Sequence, residues 1–184
     1  MRLLLASSLA LLAATALHAQ PAEAPKDRSL YVSAEDMAKI MQSVPAAPDG
    51  KPGSFSKRLF SASTYSTSFI RLNAPDTPHA HADWSEVFIV REGSGVVETG
   101  GTITGVTGHD SATHKSMFLD PQPPQGAAPR RTNPNDLAGT GIEGGHRDTV
   151  KAGDIILIPA GVAHRWLKVD SPVVYLDIKF PKAG

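Results

Sequence analysis

Four residues of metal-ligand type fall in two short stretches, His79-Ala-His81-Ala-Asp-Trp-Ser-Glu86 and Gly153-Asp-Ile-Ile-Leu-Ile-Pro159-Ala-Gly161-Val-Ala-His164. In an extended strand, residues two apart point to the same face, so His79 and His81 can present two imidazoles to one point. Glu86 follows His81 by five positions, the wrong parity for one unbroken strand. A turn over Ala82 to Ser85 is therefore needed to bring its carboxylate back toward the histidines. Pro159-Ala-Gly161 predicts a second turn, with His164 opening the strand beyond it. Three imidazoles and a carboxylate suit a borderline divalent cation such as Zn, Fe, Mn, Ni or Cu. On an octahedral ion, four protein ligands leave two positions for water, substrate or oxygen. Any one of these residues alone reads as a surface or satisfied core residue; four in two turn-bounded stretches do not.

The elements that must position them are short and numerous. Gly (16) and Pro (15) are frequent in the 184 residues, which favours turns and short strands over long helices. Strands are expected over Ser68 to Asn73, Val87 to Arg91, Gly95 to Thr99, Thr102 to Thr104, Asp154 to Ile158, His164 to Val169 and Val173 to Phe180. The unbroken apolar run Asp154 to Ile158 reads as a strand buried on both faces. Gly93, Gly100-Gly101, Gly153, Pro159, Gly161 and Pro172 mark the breaks between segments. Ser33 can cap a short helix whose stripe is Met37, Ile40, Met41 and Val44, ended by Pro45 and Pro48. From 105 to 145 the periodicity disappears, and an insertion of this length reads as a functional flap or a surface excursion.

Composition bounds the function. Lys+Arg and Asp+Glu are both 18, so no global field draws the chain to nucleic acid or an anionic membrane. Cysteine is absent, which excludes disulfides, thiolate metal sites and cysteine nucleophiles. Arg2 followed by the apolar stretch Leu3 to Leu17 reads as a signal peptide over 1–19, cut after Ala19, with Ala16 the second choice. The stretch is shorter than the ~20 residues of a membrane-spanning helix. Gln20 to Arg28 reads as a disordered tether, 20–54 as tether plus helix, and 55–184 as the folded domain. A periplasmic or secreted location follows from this reading.

Extended to Gly93, the first stretch fits H-x-H-x4-E-x6-G, and the second fits G-x5-P-x-G-x2-H. Together they resemble the two motifs of the cupin superfamily, over roughly Asn73 to Phe180. The resemblance implies an all-β fold: an antiparallel double-sheet β-barrel of jelly-roll type, here with a short N-terminal helix and a long inter-motif insertion. It also implies His79, His81, Glu86 and His164 as ligands of one metal inside the barrel. Two positions depart from the family pattern. Asn73 stands where Gly often opens the first motif, and Lys168 where Asn often closes the second. By strand parity, Trp166 shares the face of His164, and Phe88 and Val90 share that of Glu86. Phe88 and Trp166 are the candidate pocket residues, with Val90 assigned to the core. His109, His114 and His146 read as surface histidines, and Arg130-Arg131 as solvated loop charge.

Cupins include dioxygenases, isomerases, lyases, decarboxylases and binding proteins, so the resemblance alone does not name a reaction. The expectation is an exported metal-dependent enzyme acting on a small organic molecule. The alternative is a non-catalytic periplasmic protein binding a small molecule or metal. Zn is preferred, with Mn, Fe or Ni behind it, because affinity rises along the series toward Cu and Fe(II) oxidises in an oxygenated compartment. The expected partner is a small molecule, with no nucleic acid and no membrane span; a homodimer is compatible with this reading.

Overall fold

The computed structural model describes residues 22–23, 28–44, 53–61, 65–107 and 136–182. The expected signal peptide, His109, His114, Arg130 and Arg131 lie outside the described residues. In chain order the elements are β1 (Ala22–Glu23), α1 (Ala34–Gln42), β2 (Ser54–Ser61), β3 (Ser66–Leu72), β4 (His79–Ala80), β5 (Trp84–Thr99), β6 (Thr102–Thr104), β7 (Leu137–Ala138), β8 (Gly141–Glu143), β9 (His146–Lys151), β10 (Ile155–Ile158) and β11 (His164–Pro181). The protein is all-β with one short helix among the described residues, and apart from the parallel β1–β2 contact its described strand pairs are antiparallel. No helix among the described residues is long and apolar enough to cross a membrane.

Two long antiparallel strands organise everything else. β5 and β11 pair from His164↔Thr99 to Pro181↔Trp84, and both change their other partner midway. The first half of β5 takes β10 and its second half takes β9. The first residue of β11 takes β4, whereas its second half takes β3, which in turn pairs β2. The core lies between these partner sets. It draws Ile70 and Leu72 from β3, Phe88, Val90 and Val97 from β5, Val150 from β9, Ile158 from β10, and Trp166, Val173 and Tyr175 from β11. Each large side chain buried here contributes roughly 1.5–3 kcal/mol relative to exposure.

Gly93 and Pro172, expected as strand breaks, lie inside continuous strands instead. Gly93 has φ +77°, and a Cβ there would run into the Pro172 carbonyl. The two residues mark irregular register between Ser171 and Val174, so the strands bend without ending. A second correction concerns β10, which is not buried on both faces. Ile155 and Leu157 are 67% and 62% exposed, because β10 has β5 on one edge and nothing covers its outer face among the described residues.

Helix α1 forms as its sequence dictates. The Ser33 hydroxyl accepts the Asp36 N–H at 3.0 Å, and Glu35 and Asp36 complement the positive N-terminus. Its stripe of Ile40, Met41 and Val44 covers the outer side of the sheet at Phe55, Phe69 and Val174. The insertion is described at 105–107 and from 136 onward. Its returning arm forms β7 against β4, and β8 pairs β6 through Ile103↔Ile142.

Candidate metal centre

The first motif runs as β4, a bend at 81–83, and then β5. The bend ends earlier than the Ala82 to Ser85 turn that parity requires, since Trp84 and Ser85 are already in the strand. The second motif runs as β10, the turn through Ala160 and Gly161, and then β11. Gly161 has φ +82°, a conformation that glycine adopts without steric cost. Two hydrogen bonds fasten one motif to the other: Gly161 N–H to the His81 carbonyl at 2.7 Å, and Ala160 N–H to the Ser85 hydroxyl at 3.1 Å. His164 pairs directly with His79, which sets their rings 4.2 Å apart.

These contacts bring together all four residues expected as ligands. One ligand-type atom from each of His79, His81, Glu86 and His164 lies within 4.8 Å of the other three. Glu86 Oε2 is 2.8 Å from His164 Nε2, and Oε1 is 3.5 Å from His81 Nε2. Glu86, His81 and His164 are buried, and His79 is half-buried.

The outer nitrogens decide which atoms face inward. His79 Nδ1 donates to the Thr77 carbonyl at 2.8 Å, and His164 Nδ1 to the Val162 carbonyl at 2.9 Å. A carbonyl can only accept, so each Nδ1 carries a proton, and in the neutral ring the Nε2 lone pair is left for a ligand. His81 Nδ1 is held the same way by Asp136 Oδ2 at 3.1 Å. A metal-binding histidine has this arrangement: one nitrogen on the ion, the other anchored by an acceptor behind it.

Electrostatics keeps the carboxylate charged. Burial raises the pKa of Glu86, but the Lys179 ammonium and His164 outweigh it, and the group is held well below the usual carboxylate range. Burial lowers the pKa of His81, reinforced by Lys179. For His164 burial acts downward, but Glu86 prevails and the pKa is raised. Glu86 is thus an anionic donor at neutral pH and His81 favours the neutral, ligating form. Nitrogen and oxygen donors of this number fit a borderline divalent ion, for which the His79, His81, Glu86 and His164 group has the chemistry.

Phe88 borders the centre, its ring 6.1 Å from that of His164. Trp166 is buried in the core, its ring 5.5 Å from that of Tyr175. Val90 is core. His146 is on the surface, 3.2 Å from Asp148. Asn73 clamps the start of β2, its side-chain oxygen accepting the Gly53 N–H at 2.7 Å. Lys168 pairs with Asp170 at the surface.

Two residues at the site were not anticipated. Asp136, in the insertion just before β7, accepts from both His81 Nδ1 and the Ala82 N–H, the latter at 2.9 Å. It lies in an aperiodic stretch, so no local pattern pointed to it. Lys179 contacts Glu86 Oε1 and lies 3.0 Å from His81 Nε2. Its signal was available, because Lys179 shares strand parity with the buried Tyr175 and Asp177.

No protein-family model matches the chain, and no curated protein matches it significantly. Among solved structures it is similar to a Bacillus halodurans protein at 16% identity, TM-score 0.47, covering 88% of this chain and 87% of that one. A putative mannose-6-phosphate isomerase from Ralstonia eutropha aligns at 17% identity and TM-score 0.45, over 77% of this chain and 93% of that one. Hydroquinone 1,2-dioxygenase from Sphingomonas sp. aligns at 15% identity and TM-score 0.44, over 70% and 66%. Identities and scores this low decide nothing about activity. The antiparallel all-β architecture and the convergence of the four ligand-type side chains agree with what the resemblance of the two motifs to the cupin superfamily implies.

Proposed function

We propose that the chain is a metal-dependent enzyme acting on a small organic molecule at the centre formed by His79, His81, Glu86 and His164. The observation that carries this reading is the anchoring of all three Nδ1 atoms, which leaves three Nε2 atoms and an ionised carboxylate around one point. Zinc is the preferred ion, ahead of Mn, Fe or Ni. Such an ion supplies a Lewis acid with coordination positions open to substrate. The chain's own residues do the rest. Thr77, Val162 and Asp136 fix the imidazole orientations, and Phe88 gives the pocket an apolar wall that excludes water beside His164.

Metal analysis of the purified protein tests the reading. The wild type is expected to hold about one divalent ion per chain, and His81→Ala to release most of it at a chelator concentration the wild type withstands. Equal metal content in the two proteins would refute the assignment. The reading includes export, supported by Arg2 and the apolar stretch Leu3 to Leu17. The mass of the mature protein is then expected to start at Gln20, and a mass that includes residues 1–19 would remove export from the proposal.

A further inference from the structure

Lys179 is a cation placed where a metal-binding reading has no use for one. It lies in β11 opposite Glu86 of β5 and Ser66 of β3. The rows that cross these three strands grade in polarity toward the centre. Ile70, Tyr175 and Val90 form an apolar row, Ser68, Asp177 and Phe88 a mixed one, and Ser66, Lys179 and Glu86 a polar one. The Lys179 side chain is 22% exposed, so it borders the interior without being sealed in it. Its ammonium contacts Glu86 Oε1, approaches Asp177 Oδ2 to 4.0 Å, and lies 3.0 Å from His81 Nε2. Contacts to both carboxylates hold the ammonium beside the point on which the ligand atoms converge.

An imidazole nitrogen has a single lone pair. A metal ion that takes the lone pair of His81 Nε2 removes one of the acceptors of Lys179, and the ion and the ammonium then repel each other across a low-dielectric interior. An anion bound on the open side of the ion answers both conditions, as it gives the ammonium a new acceptor and lies between two positive charges. We propose, resting on the metal reading above, that Lys179 is the anion-recognising residue of this site and that the molecule it takes is a small carboxylate. One carboxylate oxygen would meet the ion and the other the Lys179 ammonium, a charge-assisted hydrogen bond.

The full-length protein saturated with cobalt(II) tests this, with acetate as the probe and the visible spectrum of the ion as the readout. Cobalt content is measured first. Acetate is expected to change the wild-type spectrum saturably. Its affinity is expected to fall about 10-fold or more in Lys179→Met and in Lys179→Gln, the loss of one hydrogen bond to a charged group. Lys179→Arg, which keeps the charge, should restore most of the affinity. A residue that only neutralised Glu86 would leave acetate affinity unchanged in the cobalt-saturated variants. That result overturns the proposal while the metal reading stands. Loss of cobalt from both neutral variants also overturns it, by making Lys179 part of the metal site's scaffold. A wild type that holds no cobalt overturns the proposal and the metal reading together.

Discussion

At the scale of single residues, Asp136 bears most directly on the centre. Its carboxylate holds His81 Nδ1 with one oxygen and the Ala82 N–H with the other. It thereby fixes both the ring and the bend that follows it. Outer-shell partners of this kind typically account for 10–100-fold in metal affinity. Asp136→Ala is accordingly expected to weaken metal binding by about that factor in a chelator competition. Asp136→Asn keeps an acceptor for one of the two donors and should fall between the variant and the wild type. Wild-type affinity in Asp136→Ala would show that the imidazole is oriented without it. Because Asp136 directly precedes β7 in the insertion, the same contact ties the returning arm of that segment to the metal centre.

At the scale of elements, the bends in β5 and β11 let two strands serve two sets of partners. The positive φ of Gly93 costs an L-residue about 1–2 kcal/mol, and a side chain there also meets the Pro172 carbonyl. Gly161 has a similar φ but no atom near its hypothetical Cβ within 4 Å. Both substitutions to Ala should destabilise the protein in urea unfolding, with Gly93→Ala the worse by about 1 kcal/mol or more. Equal losses would mean that the close approach of the strands is not tight. The motif-to-motif hydrogen bonds at Ala160 and Gly161 belong to the same scale. They place the second turn against the first motif.

For the molecule as a whole, stability should depend on pH through carboxyl groups pushed in opposite directions. Burial pushes Asp76 from 3.8 up to about 7, while its Oδ1 accepts the Trp166 N–H at 2.6 Å. Between those values the unfolded chain releases a proton that the folded chain keeps. Its contribution is therefore complete below 3.8 and is lost as pH rises through about 7. Glu98 works the other way. Burial raises it, but hydrogen bonds from Arg147 at 2.8 Å and Arg165 at 2.7 Å prevail, and the group ends below its ordinary 4.5. Its contribution is present above 4.5 and is lost as pH falls through the lower folded value. Asp76→Asn keeps an acceptor for Trp166 and removes the titration. In chelator-treated protein it should flatten the decline in stability between pH 5 and pH 8, measured by urea unfolding. An unchanged decline would assign that slope to other groups, of which Asp177, also raised to about 7 by burial, is the first to test.

The ligand-type residues, the two turns between them, the helix stripe and the all-β class were legible in the sequence, because each depends on spacing within one segment. Period-two alternation puts His79 beside His81, and Pro159-Ala-Gly161 announces the turn before His164. What the tertiary structure alone decided is pairing between distant segments. Register across β5 and β11 sets Lys179 against Glu86, and the return of the insertion brings Asp136 to His81 across 55 positions of sequence. Local pattern also misjudged Gly93 and Pro172, since whether such residues end a strand or bend it depends on the strand alongside. The same holds for β10, whose apolar run cannot reveal that one face has no neighbour among the described residues. Side-chain type and local spacing are properties of the chain, whereas partners are properties of the fold.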